Sequence, residues 1–258
     1  SDGPAFAERA QELGAAALLL QRPLDGLDLR QCPAVVVPDS RRALAPMAMR
    51  FFGQPSGELD LVGITGATGK TSTSYLTESI LRASGIATGL IGTVEIRYAN
   101  ERIAAGNTTP ESLDLQRTLR AMRTQQMEAV VMEVSSHGLE LGRGAGCEFK
   151  VAACTNLTQD HLDFHPDMEA YLASKARLFG EHMAHPARAV VNFDDPAAGA
   201  IAAAAQKSGA EVLRCTRDPG ADAEIKLLEA SVEMSGTRAR VDLQGRVCLL
   251  YTSDAADE

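Results

Sequence analysis

Apolar residues in this chain fall into short continuous runs separated by stripes at helical spacing, and the two kinds of segment alternate. Leu59, Leu61, Val62 and Ile64 form one run, after which Tyr75, Leu76, Ile80, Leu81 and Ala83 recur at helical intervals up to Gly85. That pattern predicts a strand, a glycine turn and a helix. Ala129 to Met132 predicts a buried strand ending on Glu133, Phe149 to Cys154 another ending at Thr155-Asn156, and Ala187 to Asn192 a further one. Val94 to Tyr98 suits a short strand. Thr109-Pro110-Glu111 marks a helix start, with proline in the first turn and a face of Leu115, Leu119 and Met122. Asp167 can cap a helix from Met168 to about His182. Ahead of these lie an amphipathic helix (Phe6, Ala10, Leu13) stopped at Gly14, apolar runs at 15–20 and 34–37, a helix from Ser40 to about Phe52, and a Pro55-Ser56-Gly57 linker. Strand and helix in alternation predict an α/β fold, a mainly parallel sheet covered by helices.

The turn after the first of those strands carries the chemistry. Gly66-Ala67-Thr68-Gly69-Lys70-Thr71-Ser72 opens a helix directly after a strand, the setting of a phosphate-binding loop. Glycines let backbone N–H groups approach phosphate oxygens, the helix N-terminus adds partial positive charge, Lys70 reaches the outer phosphates, and a hydroxyl of Thr71 or Ser72 can ligate Mg²⁺. Ile64 stands where the general pattern has its first glycine, so this is a shorter Gly-x-x-Gly-Lys-Thr loop. It implies a nucleoside triphosphate ligand.

Other candidates lie at predicted strand ends, where ligands bind in open α/β sheets. Glu133 follows a buried strand, placed to bind Mg²⁺ or to stand as a solvated carboxylate. Asp160-His161-Leu162-Asp163-Phe164-His165 packs four ionisable groups into six residues. No cysteine or third histidine completes a zinc set by spacing, which favours a phosphate-associated metal; a helix cap is the plain alternative. Lys175 falls on the apolar stripe of its helix, between Met168, Tyr171, Leu172 and Leu178, Phe179, so it points inward. A desolvated lysine has a depressed pKa and a nucleophilic amine able to capture CO₂ as a carbamate; otherwise it snorkels or pairs with a carboxylate. Asn107-Thr108-Thr109 offers an amide and two hydroxyls for an anion or for capping, and Arg143, between Gly142 and Gly144, can clamp a carboxylate or phosphate or face solvent.

Bulk properties narrow the partners. The net charge of −9, with no basic run, argues against nucleic acid as the main partner. No apolar run reaches the length of a membrane span, and no signal peptide is visible. The five cysteines lack a paired spacing and read as reduced thiols in a cytoplasm.

Together these residues resemble the Mur ligases of peptidoglycan synthesis, in particular the MurE type. The resemblance runs from Asp2-Gly3 to about Val247. It is carried by Phe51-Phe52-Gly53-Gln54-Pro55-Ser56 leading to Ile64-Thr65-Gly66, by Asn107-Thr108-Thr109, and by Glu133-Val134-Ser135-Ser136-His137-Gly138-Leu139. Asn156-Leu157 with Asp160-His161-Leu162-Asp163, and Tyr171-Leu172-Ala173-Ser174-Lys175, complete it. Ala67-Thr68 replaces the family's usual Thr-Asn, and Leu141 stands where a glutamine is common.

The resemblance implies an ATP-dependent amide ligase that adds a diamino acid, meso-diaminopimelate or L-lysine, to UDP-MurNAc-L-Ala-D-Glu through an acyl phosphate. It implies nucleotide binding by Gly66, Ala67, Thr68, Gly69, Lys70, Thr71 and Ser72, and catalytic roles for Lys70, His161 and a carbamylated Lys175. Mg²⁺ would be held by Thr71, Glu133, His161 and the Lys175 carbamate, and the UDP-MurNAc-dipeptide by Asn107, Thr108, Thr109, Ser135 and Arg143. A cytoplasmic monomer is expected. By the same resemblance, 1–57 is the later part of a small α/β domain that binds the uridine nucleotide, and 58–247 is the ATPase domain. A third domain is expected to be absent, leaving this piece unable to ligate. Residues 248–258 resemble a translated sequencing adapter. The alternatives are a sister ligase of the MurF, folylpolyglutamate or cyanophycin-synthetase type, or a nucleotide-binding module without ligase chemistry.

Overall fold

The computed structural model describes the chain except for residues 1–2, 27, 161–162, 234–235 and 254–258. After a 3-10 turn, α1 (Ala7–Glu12), β1 (Leu18–Leu20), β2 (Ala34–Val36) and α2 (Ser40–Phe51) make a small unit in which the two strands pair in parallel. The linker Pro55–Glu58 forms a second 3-10 turn. Then come β3 (Asp60–Thr65), α3 (Lys70–Ala83), β4 (Thr88–Ile91), β5 (Glu95–Tyr98), β6 (Glu101–Ala104), α4 (Ser112–Thr124), β7 (Ala129–Glu133) and α5 (Ser136–Glu140). The remainder is β8 (Phe149–Cys154), α6 (Met168–Glu181), β9 (Met183–Asn192), α7 (Ala198–Lys207), β10 (Glu211–Thr216), β11 (Ile225–Glu233), β12 (Gly236–Leu243) and β13 (Arg246–Ser253).

The large sheet has the order β13-β12-β11-β10-β9-β8-β3-β7-β4-β5-β6. From β11 to β4 neighbouring strands run parallel, and an antiparallel pair of strands extends each end. β3 lies in the middle with β7 on one side and β8 on the other, so the chain crosses over β3 between those strands. That makes a topological switch point, where loops at the carboxyl ends of the strands part and leave a crevice. β7 is buried along its whole length, as its unbroken apolar run requires of a strand covered on both faces.

Most predicted elements form within a residue or two of their expected limits. The apolar run at 15–20 is a strand only from Leu18, the strand expected over 187–192 begins at Met183, and the helix placed at Thr109-Pro110-Glu111 starts at Ser112 with Glu111 as N-cap. Glu111 is itself extended, with φ −60° and ψ 151°, so the helix begins only after it. On α3 only part of the apolar stripe faces inward: Tyr75 and Leu81 pack against the cluster of Ile64, Leu90 and Val131. Leu76 and Ile80 are exposed, and the buried residues are Ser74 and Glu78. The Glu78 carboxylate is held by Arg97 at 2.8 Å, and Arg97 in turn lies over the Tyr75 ring, so this helix meets the β5 hairpin through a polar contact. The stretch expected to be adapter-derived pairs along β12 as far as Ser253. That pairing is between backbones and leaves Leu249 and Tyr251 exposed, so it asks little of the side chains.

Arg120 on α4 ties the small unit to the large sheet. Its Nε donates to Phe52 O at 2.7 Å, and Nη2 donates to Gly53 O and to Glu58 Oε1, each at 2.8 Å. Gly53 has φ +71°, and a Cβ there would sit 3.0 Å from that Nη2. Truncating Arg120 to alanine removes three hydrogen bonds, at about 1 kcal/mol each. We expect protease cleavage within residues 52–58 to accelerate by about one to two powers of ten while the urea midpoint of the large sheet moves little. Unchanged cleavage would show that packing between α2 and α4 alone holds the joint.

Candidate functional site at the carboxyl edge of the sheet

The ends of β3, β7 and β8, with the loop after β4, surround a cavity of about 490 Å³. Its wall includes Gly69, Lys70, Thr71 and Ser72 at the start of α3, Thr93 after β4, Glu133 at the end of β7, and Lys175 from α6. Asn107, Thr108, Ser135 and Arg143 line the same space, with His137 and Asp160. The structure thus brings together residues far apart in the chain that the sequence singled out separately.

The phosphate-loop segment is shaped by two glycines. Gly66 has φ +145°, and a Cβ on it would come within 1.9 Å of Thr155 Oγ1; Gly69, with φ +81°, is the N-cap of α3. Only glycine adopts such angles freely. The first N–H groups of α3 have no acceptor within their own helix and border the cavity. The N–H groups of Ala67 and Thr68 are engaged elsewhere, donating to Asn156 O at 2.9 Å and to Asn156 Oδ1 at 3.0 Å. An anion in the cavity would therefore meet the amides from Gly69 onward.

Lys70 is folded back on its own loop, its Nζ donating to Gly66 O and Ala67 O, both at 2.9 Å. Burial lowers its pKa, opposed by the charges of Glu133 and Asp160. Lys175 is fully buried, and its Nζ donates to the same Gly66 carbonyl at 2.9 Å, 4.5 Å from the centre of the Tyr171 ring. Burial, and then the neighbouring Lys70 charge, push this amine down to about 7. The inward orientation expected from the stripe on α6 is what the structure has, with Tyr171, Ser174, Leu178 and Phe179 buried beside it.

Glu133 is fully buried and receives three hydrogen bonds: from Thr71 Oγ1 at 3.0 Å, Thr93 Oγ1 at 2.9 Å and Thr93 N at 3.0 Å. Gly92 leaves room for it, since a Cβ there would lie 2.5 Å from Glu133 Oε1. Thr71 and Glu133 form a set of hard oxygen donors, which suits Mg²⁺. Among the described residues no group of three or more His, Cys, Asp or Glu could hold a metal ion. A cation here would need phosphate oxygens or water to complete its shell, as Mg²⁺ in nucleotide sites does. His161 lies outside the described residues.

Of the residues expected to meet a second ligand, Asn107, Thr108, Ser135 and Arg143 reach the cavity. Thr109 lies beneath the wall. It is fully buried, its Oγ1 donates to Glu133 O at 3.1 Å and accepts from Ser135 N at 3.0 Å, and so it positions Glu133 and Ser135. Arg143 donates to Thr109 O at 3.2 Å and pairs with Glu111 at 2.8 Å. Three further residues of the edge have roles that the sequence alone does not assign. Thr93 has the signal of a Gly-Thr pair at a strand end, Asn156 stands in a family motif without a stated function, and His137, stacked on Phe164 at 3.9 Å, has only its place after Glu133.

Comparison with known proteins places the chain in a family. Residues 64–248 match the family model described as the Mur ligase middle domain, and the chain belongs to the Mur ligase family. The UDP-N-acetylmuramoyl-L-alanyl-D-glutamate–2,6-diaminopimelate ligase of Bacillus licheniformis is 47% identical over 206 residues, covering 78% of this chain and 41% of that protein. A solved structure of a ligase of the same name matches at 28% identity with a TM-score of 0.83, over 95% of this chain and 49% of the other. The MurF ligase of Thermotoga maritima in complex with ADP matches in fold, at 20% identity and a TM-score of 0.65, over 97% of this chain and 52% of the other. The chain spans about half the length of the curated relatives it matches. Among the described residues no helix is long and apolar enough to cross a membrane.

The Lys175 amine makes the fold sensitive to pH. Its folded pKa of about 7 lies below the ordinary 10.5, so between those values the unfolded chain binds more protons than the folded one, and stability rises with pH. Between pH 7 and 9 in CO₂-free buffer, wild-type stability should climb by about 2–3 kcal/mol relative to Lys175→Met. Urea titrations that run parallel across this range would mean that the amine is not desolvated.

Proposed function

We propose that this chain is the ATP-using part of a MurE-type ligase, which joins a diamino acid to UDP-MurNAc-L-Ala-D-Glu. The diamino acid is 2,6-diaminopimelate, for which the matching relatives are named. The observation that carries this reading is a single cavity in which the phosphate loop, the Thr71–Glu133 contact and Lys175 face Asn107, Thr108, Ser135 and Arg143. A nucleotide-hydrolysing switch needs the first group and not the second. Residues 1–57 would be the later part of the UDP-MurNAc-binding domain, and 58–247 the central domain.

The chemistry runs in two balanced steps. The D-glutamate side-chain carboxylate attacks the γ-phosphorus of ATP, the bond to the β-phosphate oxygen breaks, and ADP leaves an acyl phosphate. The incoming amine then attacks the acyl carbon, the tetrahedral intermediate expels inorganic phosphate, and the nitrogen loses a proton as the amide forms. In phosphoryl transfer the protein contributes chiefly position and charge. Lys70 would leave the Gly66 and Ala67 carbonyls for the phosphates, with the amides from Gly69 to Ser72 around them. Arg143, Asn107, Thr108 and Ser135 would hold the acidic substrate in line.

Thr71 and Glu133 would hold Mg²⁺, with His161 a further ligand by resemblance; the cation supplies neutralisation of charge on the phosphates. Lys175 suits carbamylation, because an amine lowered to about 7 is substantially neutral, and so nucleophilic, near physiological pH. The carbamate it would form is an anion beside the Lys70 ammonium and a further Mg²⁺ ligand. ATP supply places such a reaction in the cytoplasm, and nothing in it requires more than a monomer.

Two measurements check this. Titration calorimetry should detect Mg·ATP binding to the chain, weakened at least about tenfold in Lys70→Ala, in keeping with the loss of a charged contact to phosphate. With ¹³C-bicarbonate, wild type should show a carbamate carbon resonance that Lys175→Met lacks. Absence of nucleotide binding would remove the ATPase reading, and absence of the resonance would remove the carbamate.

A further inference from the structure

We infer that Asn156 is the positioning residue that sets the shape of the phosphate loop, its side-chain amide standing in for a strand of backbone. The loop is short: three residues, Gly66 to Thr68, connect the end of β3 to the N-cap Gly69. A segment so short cannot satisfy its own peptide groups by folding on itself; those of the buried Gly66 and Ala67 must find partners, and those of the exposed Thr68 find them in preference to water. The partners come from the residues just after β8. Asn156 Oδ1 accepts from Thr68 N at 3.0 Å, and Asn156 Nδ2 donates to Thr68 O at 3.2 Å. One primary amide thereby pairs with both groups of one residue, as a neighbouring strand would.

The backbone extends the same clamp. Asn156 O accepts from Ala67 N at 2.9 Å, and Thr155 Oγ1 donates to Thr68 O at 2.7 Å. Thr155 N continues the ladder to Thr65 O at 3.0 Å. Gly66 lies so close to Thr155 that no side chain fits between them. β8 also reaches β9 here, where Asn192 Nδ2 donates to Thr155 O at 2.8 Å, and Leu157 N donates to Asp195 Oδ2 at 2.7 Å. The loop's anchor is itself anchored.

Two consequences follow for the site. The N–H groups of Ala67 and Thr68 are withdrawn from anion binding, so phosphate recognition passes to the helix start from Gly69 onward. The carbonyls of Gly66 and Ala67 are turned the other way, toward the lysine ammoniums. Only asparagine combines a donor and an acceptor at this reach. Aspartate keeps the acceptor, loses the donor and sets a negative oxygen against Thr68 O. Glutamine has the right groups on a stem one carbon too long.

This inference rests on the reading of the cavity as a nucleotide site for its effect on affinity, but the geometry of the loop can be tested without ligand. Amide exchange followed by NMR on the whole chain, free of nucleotide, should show Ala67 and Thr68 protected and Gly69, Lys70 and Thr71 fast. Added Mg·ATP should slow the second group only. In Asn156→Ala, exchange at Thr68 should rise at least about tenfold while the β7 amides keep their rates; Asn156→Asp, which keeps the acceptor, should spare Thr68 N; and both variants should bind Mg·ATP about tenfold more weakly. Ala67 and Thr68 exchanging as fast as Gly69 in wild type would overturn the inference, whether or not the variants fold. So would variants with unchanged loop exchange and affinity. Wild-type protection at Ala67 and Thr68 without nucleotide binding would leave the clamp standing and remove the ATPase reading instead.

Discussion

The amines of Lys70 and Lys175 converge on one backbone carbonyl, Gly66 O, at the carboxyl edge of a parallel sheet. Like charges this close repel, and the cost is greater because one of them is fully buried. Burial and its neighbour's charge together hold Lys175 at about 7. The arrangement suits a site that awaits anions: phosphate for Lys70, and a carbamate or another anion at Lys175. Polyanionic ligands would relieve the very repulsion that the free site contains.

The rest of the edge keeps that pair in place. Thr155 and Asn156 hold the loop whose Gly66 carbonyl both lysines share, and α6 brings Lys175 to it. Glu133 offsets the Lys70 charge, and is held by Thr71 and Thr93 so that its oxygens stay at the cavity wall. Thr109 sets Glu133 and Ser135 from below. The small N-terminal unit meets this edge through Arg41, which faces Glu111 at 3.6 Å, while Glu111 holds Arg143. Ion pairs thus link the two units beside the wall expected to bind the acidic substrate.

Much of this is legible in the sequence because local rules govern it. The glycine turn between an apolar run and a helical stripe locates the loop, and the all-apolar β7 locates Glu133 at a strand end. Lys175 stands out because a charge replaces an apolar residue on a helix face. What the sequence hides is set by contacts between distant segments. Leu76 and Ile80 face outward because Glu78 finds Arg97 on a hairpin, and no periodicity encodes that partner. Thr93 and Asn156 look like ordinary loop residues until the sheet order brings them to Glu133 and Thr68. Thr109 reads as a ligand contact because its hydroxyl is visible in the sequence, whereas the depth of the residue is not.

On the proposed reading, this edge is a nucleotide site in which Lys70 exchanges the loop carbonyls for phosphate. A crystal structure of the chain with Mg²⁺ and a non-hydrolysable ATP analogue tests it most directly. Phosphate oxygens should lie against the amides of Gly69 to Ser72, with Lys70 Nζ turned from Gly66 O to the outer phosphates and a cation touching Thr71 and Glu133. Phosphates bound elsewhere, or bound here with Lys70 still on Gly66 and Ala67 and no cation between Thr71 and Glu133, would contradict it.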